Sequence, residues 1–248
     1  DEIIRILVEK AVPLFISAAT LYRFISDERW NPVKRLEAIL ADQTAYTSKM
    51  DGTYMPVLNQ LLTGQDEVES QQLIHEFKEI VGVIILLNFP LSIKALSRLL
   101  NVETDVISNR LASFHSVLHV PPDLDTPVRM LHLSFRDFLL NPTKKNTNPF
   151  WIDEKAVHTI IFLRCLEVMQ RSLRKNICHL ESYGAQLSEV NRDCVDKYLG
   201  PEVQYACRYW AKHLIQIRNP GTGLNMSLSF LEMHFLHWVE AMSMLGLL

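Results

Sequence analysis

Glycine is scarce in this sequence, with 8 residues in 248, which excludes a sandwich or barrel built on Gly-rich turns. Cysteine is scarce too: Cys165, Cys178, Cys194 and Cys207 all lie in the C-terminal half, and no two form a C-x-x-C pair. At that density they read as buried free thiols of an intracellular protein rather than as a disulfide framework. Charge of one sign is missing. The 25 Lys and Arg face 28 Asp and Glu, for a net charge of −3 and a pI near 6.3. Such a balance supplies no strong field for nucleic acid or an anionic membrane. The longest apolar run, Ile80 to Leu87, is far below the roughly 20 residues of a membrane span, and no signal peptide opens the chain. No membrane partner is therefore expected, and the expected location is the cytoplasm.

Catalytic signatures are missing as well. A phosphate-binding loop needs G-x-x-x-x-G-K-[ST], because backbone N–H groups cradle the phosphates and the lysine reaches the outer ones. The sequence has none, and Gly221-Thr-Gly223 is not followed by Lys. Neither G-x-S-x-G nor H-E-x-x-H occurs. The chain is not expected to be an enzyme by itself. It starts at Asp1 and ends inside a helical pattern at Leu248, so a piece of a longer protein is expected.

What is present is ordinary globular composition, 48% hydrophobic and 21% charged, in a length suited to about two or three small units. The periodicity predicts a mainly α fold. Ile3, Ile4, Leu7 and Val8 have helical spacing, Ala11 to Ile25 reads as a second helix with Pro13 in its first turn, and Pro32 opens a third. Tyr54 to Leu62 reads as a fourth, stopped at Gly64, and Thr63 to Gln72 as a polar linker. Four short helices on small loops suggest a helical bundle.

Next, Leu73, Phe77, Ile80, Ile84 and Leu87 mark one face of a buried helix that ends at Asn88-Phe89-Pro90. Ser92 caps a second helix that Asn101 closes, and Thr104 or Asp105 caps a third. Leu118-His119-Val120 and Val128 to Leu133, separated by a proline-rich loop, read as a β-hairpin. Three helices and a two-stranded wing give the order of a winged-helix domain. Ser134-Phe-Arg-Asp137 then reads as a capping box, which sets His132 at the positive end of a helix. From Asp153 onward the pattern is stacked helices, with Asn219 to Gly223 as a loop. Segments 1–68, 69–145 and 146–248 are the expected domains: bundle, winged helix with a small β-wing, and C-terminal helical domain.

Several histidines invite a metal reading. His115 and His119 are four apart and His132 lies across the wing, but no Cys or carboxylate joins them at ligand spacing, and His234 with His237 reads as a mixed helix face. No metal is expected. A winged helix also suggests DNA, with Asp105 to Ser116 as the reading helix. That stretch carries one Arg and one Asp, whereas phosphate contacts come from several Lys and Arg. DNA binding, as a transcription regulator with a helical ligand domain, stands as the alternative, and a helical scaffold with a degenerate nucleotide site as a third. His132 has a plain reading too: a His beside a helix start can simply bond a backbone carbonyl.

Leu131-His-Leu-Ser-Phe-Arg-Asp-Phe-Leu-Leu140 resembles the H-x-S-F-x-[DE]-F-[LF] motif in the winged-helix domain of NACHT-type signalling ATPases. Pro13-Leu-Phe-Ile-Ser-Ala-Ala-Thr20 resembles the GLFIWAAT stretch that follows the nucleotide-binding core in fungal members. Phe150-Trp-Ile-Asp153, Asn176-Ile-Cys-His-Leu180, Tyr205-Ala-Cys-Arg-Tyr-Trp210 and Phe230 to Leu248 resemble later stretches of fungal NACHT proteins of the vegetative-incompatibility type, which often carry WD repeats. The resemblance covers nearly the whole chain. It implies a signalling NTPase of the STAND class whose Walker motifs lie upstream of Asp1. Residues 1–68 would close the ATPase module, and residues 146–248 would connect to a C-terminal sensor. It further implies ADP or ATP in the intact protein, with none held by this part alone, slow turnover by the whole, and homo-oligomerisation on activation. In the family the winged-helix His contacts the ADP β-phosphate, a role that falls on His132. A proline touches adenine, a role that falls on Pro13, although the family often carries Gly just before this stretch and Val12 stands here. A His at a helix entry can donate to an anion, and the helix end adds about 0.3–1 kcal/mol.

Overall fold

Helix signals dominate the sequence, and the computed structural model, which describes residues 2–12, 14–41, 48–180 and 192–248, follows them. Among the described residues the protein is mainly α, with twelve helices and one two-stranded ribbon. The first four helices are α1 (Glu2–Ala11), α2 (Phe15–Ile25), α3 (Pro32–Ala41) and α4 (Lys49–Asn59). Ala11 thus ends α1 instead of opening α2. The Asn31 side chain accepts from the N–H groups of Val33 and Lys34 at the start of α3. Ser48 caps α4 by accepting from Asp51 N–H, so the helix starts at Lys49, five residues ahead of the expected start at Tyr54. A tight turn at Gln60–Leu62 follows, and Gly64 reverses the chain at φ +81°.

α5 (Glu67–Leu86) begins inside the stretch expected to be a linker. Asp66 and Glu69 cap it reciprocally: Glu69 N–H donates to the Asp66 carboxylate at 2.8 Å, and Asp66 N–H donates back to Glu69 at 3.4 Å. α6 (Ile93–Leu100) starts at Ser92, whose Oγ accepts from Ala95 N–H at 3.2 Å, and stops at Asn101 with φ 57°. α7 (Thr104–Leu111) leads through a short turn to β1 (Leu118–His119), which pairs antiparallel with β2 (Arg129–Met130) in the register Leu118 opposite Met130. α8 (Leu133–Leu140) follows directly. Three helices and a hairpin therefore occur in the expected order.

The remaining helices are α9 (Glu154–Ser172), α10 (Arg192–Tyr198), α11 (Pro201–Gln216) and α12 (Pro220–Met244). Asn219 to Gly223 is not a loop: α12 starts at Pro220, where a missing N–H costs nothing. Gly223 is buried so closely that a Cβ would press on the ends of Leu214 and Ile217. Two compact units result. Unit 1 holds Asp1–Ile85, Asp105–Pro122 and Pro127–Ile152; unit 2 holds Leu86–Thr104, Asp123–Thr126 and Asp153–Leu248.

Aromatic rings organise the core of unit 1. Phe77 meets Phe114 and Phe150, and Tyr54 meets Phe135 and Phe138, each with ring centroids 5.2 Å apart. In unit 2, α9 packs along α11, with Ile161, Phe162, Cys165 and Met169 of α9 and Ala206, Cys207 and Trp210 of α11 all buried. Trp210 stands edge-on to Phe230 and Trp238 of α12, and the Trp238 indole N–H donates to the Cys207 carbonyl at 3.0 Å. No helix among the described residues is long and apolar enough to cross a membrane.

Candidate functional site

The entry to α8 is built by a histidine. His132 is the N-cap residue, with extended backbone (φ −153°, ψ 142°), and its Nδ1 accepts from Ser134 N–H at 3.1 Å. The expected capping box at Ser134 and Asp137 does not form, because the helix starts at Leu133 and Ser134 already lies in its first turn. Nor does the ring bond a carbonyl, since the nearby orphan group at a helix start is an N–H. This contact decides the ring's chemistry. An Nδ1 that accepts has no proton, so the neutral ring carries its proton on Nε2. His132 is exposed, and Nε2 makes no hydrogen bond among the described residues. The result is an N–H donor facing outward beside a helix N-terminus, a combination suited to an anion.

Two further contacts hold α8 on α4. Ser134 Oγ lies 2.6 Å from His132 Nδ1 and 2.7 Å from the Tyr54 hydroxyl. Just past α8, Lys144 Nζ pairs with the Asp51 carboxylate at 2.5 Å, with both side chains largely buried. Tyr54 and Asp51 carry no sequence motif and are 80 or more residues from their partners by count along the chain, 80 for Tyr54 and 93 for Asp51. Only the burial of α4 reveals them.

Pro13, the other nucleotide-contact candidate, lies outside the described residues; its neighbour Leu14 precedes α2 without a side-chain cap bond, and Phe15 is 87% exposed. The remaining histidines are dispersed. His119 is exposed on β1, and His115 is half-buried, with its pKa lowered by burial and by Arg29 against an opposing pull from Asp27. His234 stacks on Phe230 with centroids 5.5 Å apart and reaches His237 at 3.4 Å. Among the described residues no group of three or more His, Cys, Asp or Glu is placed to hold a metal ion. Arg110, the arginine of α7, pairs with Glu76 of α5.

Unit 2 hides a polar cluster that the sequence does not announce. His213, fully buried on α11, sets Nδ1 2.8 Å from Nδ1 of His158 and Nε2 2.7 Å from the Tyr205 hydroxyl. Tyr205 in turn accepts from Asn88 N–H at 3.1 Å. Burial, and then the His158 ring, bring the His213 pKa down to about 4.

Compared with known proteins, the chain matches no protein-family profile and no solved structure. It is similar to the vegetative incompatibility protein HET-E-1 of Podospora anserina, at 25% identity over 239 residues, which covers 87% of this chain. The chain spans 17% of that relative's length.

Proposed function

We propose that this chain is the regulatory portion of a fungal NACHT signalling ATPase of the STAND class, acting in non-self recognition of the heterokaryon-incompatibility kind. The observation that carries this is the outward Nε2–H of His132 at the start of α8. In this reading residues 69–145 form a winged-helix latch, and His132 donates to the β-phosphate of ADP bound on a core that precedes the chain. The helical segment 1–68 closes that core, and the exposed apolar side chains of Ile4, Val8, Phe15 and Tyr22 offer it a face. Exchange of ADP for ATP removes the tie, so the latch swings and the protein oligomerises, a two-state switch biased by differential contacts. Segment 146–248 connects to a C-terminal sensor. The likeness to a vegetative incompatibility protein supports the signalling role. Turnover, slow in the whole protein, belongs to the core, so this chain by itself hydrolyses no ATP, and its setting is the cytoplasm.

The test is His132→Ala in the full-length protein, with ADP release followed by a fluorescent analogue. A hydrogen bond to a charged phosphate contributes about 1.5–3 kcal/mol, so release should quicken roughly ten- to hundredfold and basal activity rise. Unchanged release refutes the latch. The DNA-reading alternative is not favoured, because Arg110 is engaged with Glu76; salt-sensitive submicromolar binding of this chain to duplex DNA would reinstate it.

A further inference from the structure

Tyr54 is 1% exposed, and its ring is held between Phe135 and Phe138. A phenylalanine would fill the same space. The hydroxyl is desolvated, which costs free energy unless it finds a partner, and the partner it finds is Ser134 Oγ at 2.7 Å. Burial raises the Tyr54 pKa despite the hydrogen bond to Ser134, which pulls the other way, so the group remains a donor at neutral pH. Ser134, 6% exposed, has its Oγ between that hydroxyl and His132 Nδ1.

The proton directions follow from one contact. Nδ1 already accepts from Ser134 N–H, so the Ser134 hydroxyl meets a lone pair and donates to it at 2.6 Å. Having donated, Ser134 Oγ accepts from Tyr54. The chain therefore runs Tyr54 O–H to Ser134 Oγ, and Ser134 O–H to His132 Nδ1. Two donors converge on Nδ1 and fix both the tautomer and the rotation of an otherwise exposed ring.

We propose that Tyr54 is a positioning residue for the phosphate contact of His132, acting through Ser134, so that the Ser134 hydroxyl is held on Nδ1 and the ring carrying Nε2–H is fixed in rotation while α8 is packed on α4. This rests on the reading of His132 as a nucleotide contact. It makes the contact conditional on an interface that Asp51 and Lys144 also hold. A movement of α8 off α4 removes the Tyr54 donor from Ser134 Oγ and loosens the ring.

Tyr54→Phe keeps the ring packing and removes the donor; Ser134→Ala removes the middle of the chain. In the full-length protein each should quicken ADP release about three- to tenfold, the effect of one ordinary hydrogen bond. Neither should add to His132→Ala, whereas a merely structural loss would add. Imidazole 15N shifts of His132 give an independent readout: the Nε2–H tautomer should dominate in both proteins, because the Ser134 N–H remains on Nδ1, and the Nδ1 shift should move in Tyr54→Phe as the Ser134 hydroxyl loosens, at unchanged melting temperature. If His132→Ala quickens release and Tyr54→Phe does not, the relay is wrong and the latch stands. Unchanged 15N shifts in Tyr54→Phe overturn the relay whatever the nucleotide does. If His132→Ala is without effect on release, the latch falls, and with it the role given to Tyr54.

Discussion

Acidification from pH 7 to 5 should destabilise unit 2 by about 2 kcal/mol through His213 alone. The Asn88 side-chain amide nitrogen lies 3.3 Å from His213 Nε2, which therefore accepts and leaves the proton on Nδ1. Asn88 N–H donates to the Tyr205 oxygen, Tyr205 O–H donates to His213 Nε2, and His213 Nδ1–H donates to His158 Nδ1. A second proton on Nε2 would face a hydroxyl already oriented to donate, in a site where His213 is 0% exposed. Burial first, and the neighbouring His158 second, hold the folded pKa down to about 4 against the ordinary 6.5. The sign follows. Above pH 6.5 neither state binds the proton; between 6.5 and 4 the unfolded chain binds it and the folded one does not. Stability is therefore complete above 6.5 and lost as the pH falls towards 4, with a limiting loss of about 3 kcal/mol.

Urea titrations followed by the fluorescence of Trp210 and Trp238 would measure this. His213→Gln should be less stable at pH 7, since it breaks a buried network. The informative quantity is the gap between wild type and variant, which should shrink by about 2 kcal/mol at pH 5. Carboxylates and histidines that do not touch His213 titrate equally in both proteins and cancel. A gap constant to within about 0.5 kcal/mol would refute the reasoning and mean that His213 takes up its proton in the folded state.

Gly64→Ala should cost about 1 kcal/mol in thermal unfolding, from backbone strain alone, because φ is +81° and a Cβ there would meet no atom within 4 Å; Gly64→Asn should recover most of it. A neutral thiol reagent should label the half-buried Cys194 well before Cys165 and Cys207, whose thiols burial pushes up, Cys207 to about 12. Mass spectrometry of the native protein checks this, and equal labelling of Cys165 would contradict it.

Helices whose ends carry local chemistry were legible from sequence: Pro32, Ser92 and Asn101 act where their residue types suggest. Failures arose where a rule had a competitor. The first turn of α5 is polar, so apolar periodicity begins only at Leu73, although Asp66 and Glu69 already form a readable capping pair. Pro220, Gly221 and Gly223 signal a turn by type, yet packing of Gly223 against Leu214 and Ile217 places them in a helix. The buried cluster joins Asn88, His158, Tyr205 and His213 from positions up to 125 residues apart, and no local pattern could bring them together.

His132 shows why a plain and a functional reading need not compete. Beside a helix start, a histidine that merely satisfies the backbone and one that meets a phosphate look like alternatives in sequence. The ring has two nitrogens, and the geometry of α8 assigns them different work. Nδ1 caps the helix and, by accepting there, sends the proton to Nε2. Capping thus generates the outward donor instead of consuming it. The same step explains why serine stands two residues on: its N–H and its hydroxyl converge on one nitrogen, and an alanine would keep the N–H but lose the second donor. The local half of this device, His132 and Ser134, could be read from the motif. The half that makes it conditional, Tyr54, could not, because it acts across the α4–α8 interface and that interface exists only in the folded chain.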